Sequence, residues 1–131
     1  PNIVDFETSC IVCGANVAIR LFLCQNEFRC VTPMTIKTKK LLLIIPKRHV
    51  VDYFSLTKDE LLSSDALLKE VKNSIKAEDE SVKAFNVGIN SGEAAGQTIF
   101  HCHIHLIPRR VGDIENPRGG IRHLIPGKGD Y

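Results

Sequence analysis

The stretch Ile99-Phe100-His101-Cys102-His103-Ile104-His105-Leu106-Ile107 sets the tightest limit on how this chain can fold. Side chains alternate between the two faces of a β-strand, so residues two apart share a face. A strand from Ile99 to about Ile107 therefore puts His101, His103 and His105 on one face. Cys102, Ile104 and Leu106 fall on the other, towards the core. Three imidazoles are poor core material, because every buried ring nitrogen needs a partner. The pattern predicts a sheet with one face packed and the other available for chemistry.

The rest of the chain supplies the packing. Val17–Leu23 and Glu27–Thr32 read as two strands joined by a turn at Gln25-Asn26, and Leu41–Ile45 is an apolar run ended by Pro46. Thr57-Lys58-Asp59-Glu60 fits a capping box, and Leu61, Leu67, Leu68, Val71 and Ile75 form an apolar stripe at helical spacing. Phe85, Val87 and Ile89 alternate with Ala84, Asn86 and Gly88 to give a further strand. From about residue 109 to 131, arginines lie among glycines and prolines in an irregular tail. These elements predict an α+β fold with a mostly antiparallel sheet and one main helix.

At 131 residues the chain is expected to form one domain, residues 1–131, around one core. A formal net charge of +2 gives no sign of nucleic acid as a partner, and no apolar run approaches membrane-spanning length, so no membrane partner is expected. Pro1–Asp5 lacks the basic and apolar regions of a signal peptide. Five cysteines, an odd number, fit a reducing compartment better than a disulfide framework. The expected location is the cytoplasm.

A single metal held by all three histidines is hard to build. At about 3.3 Å per residue, the backbones of His101 and His105 lie roughly 13 Å apart. A division of labour fits better, with one histidine on a metal and the others on a substrate. The preceding loop, Asn90-Ser91-Gly92-Glu93-Ala94-Ala95-Gly96-Gln97-Thr98, suits close approach to phosphate: Gly96 opens the backbone, and Asn90, Gln97 and Thr98 offer donors. Cys10-Ile11-Val12-Cys13-Gly14 has zinc-knuckle spacing, with a redox dithiol or two unpaired thiols as the other readings.

The run Gly96-Gln97-Thr98-Ile99-Phe100-His101-Cys102-His103-Ile104-His105-Leu106-Ile107-Pro108-Arg109 resembles the signature of the histidine triad (HIT) family. Asn90 and the segment Ile44–His49 match further family landmarks, so the likeness spans nearly the whole chain. It implies a HIT-like fold with a five-stranded sheet. It also implies a nucleotide hydrolase or nucleotidyltransferase acting on the α-phosphate of a nucleotide conjugate, a dinucleoside polyphosphate first. His103 would be the nucleophile, its other ring nitrogen donating to the backbone carbonyl of His105. His105 and Gln97 would join it as catalytic residues. Asn90, Gly96, Gln97 and Thr98 would bind substrate together with His103 and His105. The other readings are a nucleoside phosphoramidate hydrolase, a non-catalytic zinc-containing nucleotide-binding module, and a zinc hydrolase with metal on His101 and His103.

The resemblance further implies a structural zinc on Cys10, Cys13, His49 and His101, one per chain, no organic cofactor, and a homodimer. Arg118-Gly119-Gly120-Ile121-Arg122 is similar to the C-terminal segment of a bacterial subgroup described as diadenosine tetraphosphate hydrolase-like. One family feature is missing. Relatives commonly carry an acidic, ribose-binding residue shortly before the strand matching Leu41–Ile45, whereas Thr32–Ile36 holds no carboxylate.

Overall fold

The structure is a computed structural model that describes residues 19–25, 27–33 and 41–130. Strands β1 (Ile19–Gln25), β2 (Phe28–Pro33) and β3 (Leu42–Pro46) precede helix α1 (Lys58–Glu78), which is followed by β4 (Val82–Gly88) and β5 (Ile104–Arg110). The strands form one sheet in the order β1-β2-β3-β5-β4. Every pairing is antiparallel. Chain order is broken once, where β5 inserts between β3 and β4 and so occupies an inner position.

Helix α1 begins where its sequence says it should. The Thr57 hydroxyl accepts from the Glu60 amide at 3.1 Å, and the Glu60 carboxylate accepts from the Thr57 amide at 3.0 Å. This reciprocal pair satisfies two donors that the first turn leaves open. Leu67, Val71 and Ile75, one turn apart, are buried against the sheet, as are Phe28, Leu42, Ile44, Val82, Ile104 and Leu106. The register explains the match: Leu42 pairs with Leu106 and Ile44 with Ile104, so alternate residues of β3 and β5 face α1 together. Full burial of each such side chain contributes about 1.5–3 kcal/mol.

Strand β5 is shorter at its start than the alternating pattern predicts. The ladder opens at Ile104, not Ile99, and residues 99–101 form a bend. Beyond Arg110 the described chain holds turns and one short 3-10 turn, Gly120–Leu124. No helix among the described residues is long and apolar enough to cross a membrane.

Candidate active site

Because β5 starts late, the three histidines do not form a single row, and the expectation that they share one strand face is corrected. His101 and Cys102 are both buried, while His103 and His105 are half-buried. The rings sort into two pairs. His49 and His101 meet edge to face with centroids 4.9 Å apart, and His103 and His105 do so at 5.0 Å.

The segment after β3 holds this arrangement in place through its carbonyls. His101 Nε2 lies 2.9 Å from the Pro46 carbonyl oxygen, which only accepts, so Nε2 carries the proton and donates. The Cys102 amide donates to the Val50 carbonyl at 2.7 Å. Those bonds turn residues 101–103 towards the 46–51 segment and away from the β3 ladder. Burial pushes the Cys102 thiol up to about 11, with the nearby Asp52 and Glu60 carboxylates adding to the effect. Cys102 is thus a small apolar packing residue.

The turn at His101 also changes the anchor of His103. His103 Nδ1 donates to the backbone carbonyl of His101 at 2.8 Å, where the sequence reading has the carbonyl of His105. In a bend the carbonyl two residues back can face the ring, whereas in a regular ladder it points across to the neighbouring strand. With the proton on Nδ1, the lone pair of a neutral His103 is on Nε2. His105 Nε2 is buried with no hydrogen-bond partner among the described residues. Burial, and then the charge of His103, hold His105 below the ordinary imidazole range.

Gln97 sits in the loop that precedes the histidines. It is buried, and its amide donates to the carbonyls of Val51 at 2.6 Å and Ile99 at 3.0 Å. Its carbonyl accepts from the Gly92 amide at 2.8 Å. Both side-chain protons are committed to backbone, so the Gln97 side chain braces the loop. Asn90 is half-buried and Thr98 exposed, on either side of that braced turn. Gly92 and Gly96 have φ of 93° and 90°, which glycine adopts at little cost.

Of the proposed metal ligands, His49 and His101 are brought together, while Cys10 and Cys13 lie outside the described residues. Among the described residues there is no group of three or more His, Cys, Asp or Glu able to hold a metal. Two features are absent from the sequence reading. One is the set of carbonyls from Pro46 to Val51, which no side-chain motif advertises. The other is Arg48, which donates to buried Glu60 at 2.6 Å and so ties the same segment to the start of α1.

The HIT domain family matches residues 20–112. An uncharacterised HIT-like protein of Mycobacterium tuberculosis is 31% identical over 103 residues, covering 79% of this chain and 70% of the relative. The asymmetrical bis(5'-nucleosyl)-tetraphosphatase of Schizosaccharomyces pombe is 39% identical over 71 residues, 54% of this chain and 38% of that enzyme. Among solved structures, a zinc-bound histidine triad family protein from Mycobacterium smegmatis aligns with a TM-score of 0.66 and 28% identity. That alignment covers 82% of this chain and 79% of that one.

Proposed function

The chain belongs to the histidine triad family, and from that premise we propose that it is a nucleotide hydrolase or nucleotidyltransferase working through a covalent nucleotidyl-His103 intermediate. The observation that carries this reading is the hydrogen bond from His103 Nδ1 to the His101 carbonyl. It fixes the tautomer and orients the Nε2 lone pair for attack, which is what a nucleophilic imidazole requires. His103 Nε2 attacks the α-phosphorus and a P–N bond forms. The bond to the leaving oxygen or nitrogen breaks, and the leaving group takes a proton from solvent. Water then cleaves the P–N bond, releasing the nucleotide and restoring His103.

His105 suits the site for a related reason. Its buried Nε2 lacks a protein partner among the described residues, and a phosphate oxygen would supply one. Thr98 and Asn90 flank the same turn and extend the set of donors around the charge that builds up in the transition state. Gln97 acts one step removed, by holding the turn. A dinucleoside polyphosphate is the favoured substrate, supported by the tetraphosphatase named among the relatives. A nucleoside phosphoramidate is the alternative.

A structural zinc on Cys10, Cys13, His49 and His101 belongs to the same proposal. The two imidazoles lie close enough to share one ion, and the histidine triad protein from Mycobacterium smegmatis, one of several similar solved structures, is zinc-bound. With Nε2 donating to Pro46, His101 would offer Nδ1. Four protein ligands close the tetrahedron, so the ion would tie the N-terminal segment to the site rather than activate water. The ring pairing also disfavours a zinc shared by His101 and His103, since each ring packs against a different partner. We further propose a cytoplasmic homodimer.

The test is a rapid quench of enzyme with a labelled dinucleoside polyphosphate, followed by intact mass. A nucleotidyl adduct should appear on the wild type and be absent from His103→Ala. Turnover that does not depend on His103 would overturn the mechanism.

A further inference from the structure

The tail after β5 closes on itself through glycines. Gly119 packs so tightly on the Gly129 backbone that a Cβ at Gly119 would overlap the Gly129 carbonyl. A Cβ on Gly129 would in turn overlap the ring of His123. His123 Nε2 donates to the Arg118 carbonyl at 2.7 Å, and Asn116 Nδ2 donates to Asp130 at 3.4 Å, which joins the two ends of the segment. Gly119 and Gly120 both have positive φ, 86° and 50°, and start the 3-10 turn Gly120–Leu124. Gly119 and Gly129 thus let the two ends of the segment approach, with the His123 ring against the Gly129 backbone, and close the loop.

The closed loop rests on the sheet beside the proposed site. A Cβ on Gly120 would lie 3.5 Å from Asn86 Nδ2, and a Cβ on Gly88 would lie 3.8 Å from Ile121 Cδ1. Gly88 is the cross-strand partner of His105. Directly paired residues project from the same face, with Cβ positions about 4.5–5.5 Å apart. Ile121 Cδ1 therefore lies within van der Waals reach of a methyl group placed on Gly88, on the sheet face from which His105 projects. Half of its surface stays exposed there, at 50%.

We propose that Ile121, held over Gly88 by the His123–Gly129 closure, is a specificity-determining residue that packs against a flat apolar group carried on the reacting phosphate. This rests on the hydrolase reading given above. Two parts of a substrate have that chemistry, the nucleobase and an aromatic leaving group.

Three phosphoramidates separate them: adenosine 5'-phosphoramidate, its tryptamine amide, and the base-free ribose 5'-phosphoramidate. Ile121→Ala should raise KM about tenfold, with kcat little changed, for substrates that carry the contacting group. A loss with the tryptamine amide alone assigns the contact to the leaving group. A loss with both adenosine compounds, but not the ribose compound, assigns it to the base. Gly129→Ala should reproduce the same pattern, because it displaces His123 and with it the loop. Equal losses on all three compounds, or no loss on any, would overturn the inference. If the wild type turned over none of them, the hydrolase reading would fail for these substrates. Calorimetric titration of the same compounds would still decide the inference: selective weakening in Ile121→Ala supports it, and unchanged binding overturns it.

Discussion

The side-chain amide of Gln97 donates to the carbonyl of Val51 at 2.6 Å, joining two segments forty-six positions apart in the chain. With the bonds to Ile99 and Gly92, this makes Gln97 the fastener between the phosphate-loop candidate and the segment that carries His49. Gln97→Ala would leave two carbonyls and one amide without their partner in a buried place. Such groups cost about 1–3 kcal/mol each, less than additively once water enters. The expected loss of stability is about 2–4 kcal/mol, or a fall in Tm of about 10 °C. Gln97→Glu should do at least as much harm, since a carboxylate oxygen would face the carbonyls. Thermal denaturation followed by circular dichroism reads both, and an unchanged Tm in Gln97→Ala would show that these bonds contribute nothing to stability.

The Arg48–Glu60 pair makes a second connection to the same segment. Burial pushes the Glu60 carboxyl up, but the Arg48 guanidinium and the Thr57 bonds outweigh it and leave Glu60 below its ordinary range. A depressed carboxyl contributes stability above its unfolded pKa and loses it as the pH falls. Arg48→Met removes the chief compensation from a buried carboxylate, so Glu60 should titrate higher in the variant. Arg48 is itself half-exposed at 52%, and solvent screening keeps the effect modest. The expected loss is about 1–2 kcal/mol at pH 7, shrinking towards pH 4 as Glu60 takes up its proton. Urea titrations at the two pH values measure the difference, and an equal loss at both would contradict it.

Much of this arrangement is legible in the sequence because it follows periodic rules. The Thr57–Glu60 box, the Leu67-Val71-Ile75 stripe and the alternation of Ile104 and Leu106 each state a local preference that packing then confirms. The histidine segment departs from its alternating pattern because non-local bonds compete with the ladder. His101 and Cys102 bind carbonyls of Pro46 and Val50, and no reading of residues 99–107 alone reveals acceptors some fifty positions away. The anchor of His103 moves to the His101 carbonyl for the same reason. Gln97 is found by its motif, but its backbone bonds are not, since the same amide can serve a phosphate or a backbone. The glycines of the tail are visible in sequence as turn formers. That His123 lies on one of them becomes visible only in three dimensions.

Metal content tests the proposed zinc independently of any substrate. Purified protein should carry about one zinc per chain, lowered in Cys10→Ser and in His49→Ala. Loss of the ion should lower Tm, because metal binding contributes to folding where its ligands come from distant segments. A chelator that abolished turnover while leaving the fold and Tm intact would contradict a structural role and favour a catalytic one. Elemental analysis beside a thermal melt separates the two.

Stability in acid should depend on two ion pairs that close the β4–β5 end of the sheet. Asp79 accepts from Ser81 and from Arg110, the latter at 2.6 Å, and these bonds hold its carboxyl down from 3.8 to about 2. Asp113 receives two bonds from Arg109, at 2.8 and 2.7 Å, and one from the Arg110 amide at 2.9 Å. It too is held well below the ordinary carboxylate range, by Arg109 first. In both cases the folded state favours the charged form, so the unfolded chain takes up protons first as the pH falls. Their contribution is complete above about pH 4 and is lost as the pH drops towards 2. The double variant Asp79→Asn, Asp113→Asn should therefore be less stable than wild type at pH 6, with the gap closing at the acid end. Its stability curve should be flatter between pH 4 and 2. Chemical denaturation across that range measures the slope, and parallel curves for the two proteins would rule these pairs out as the source of acid sensitivity.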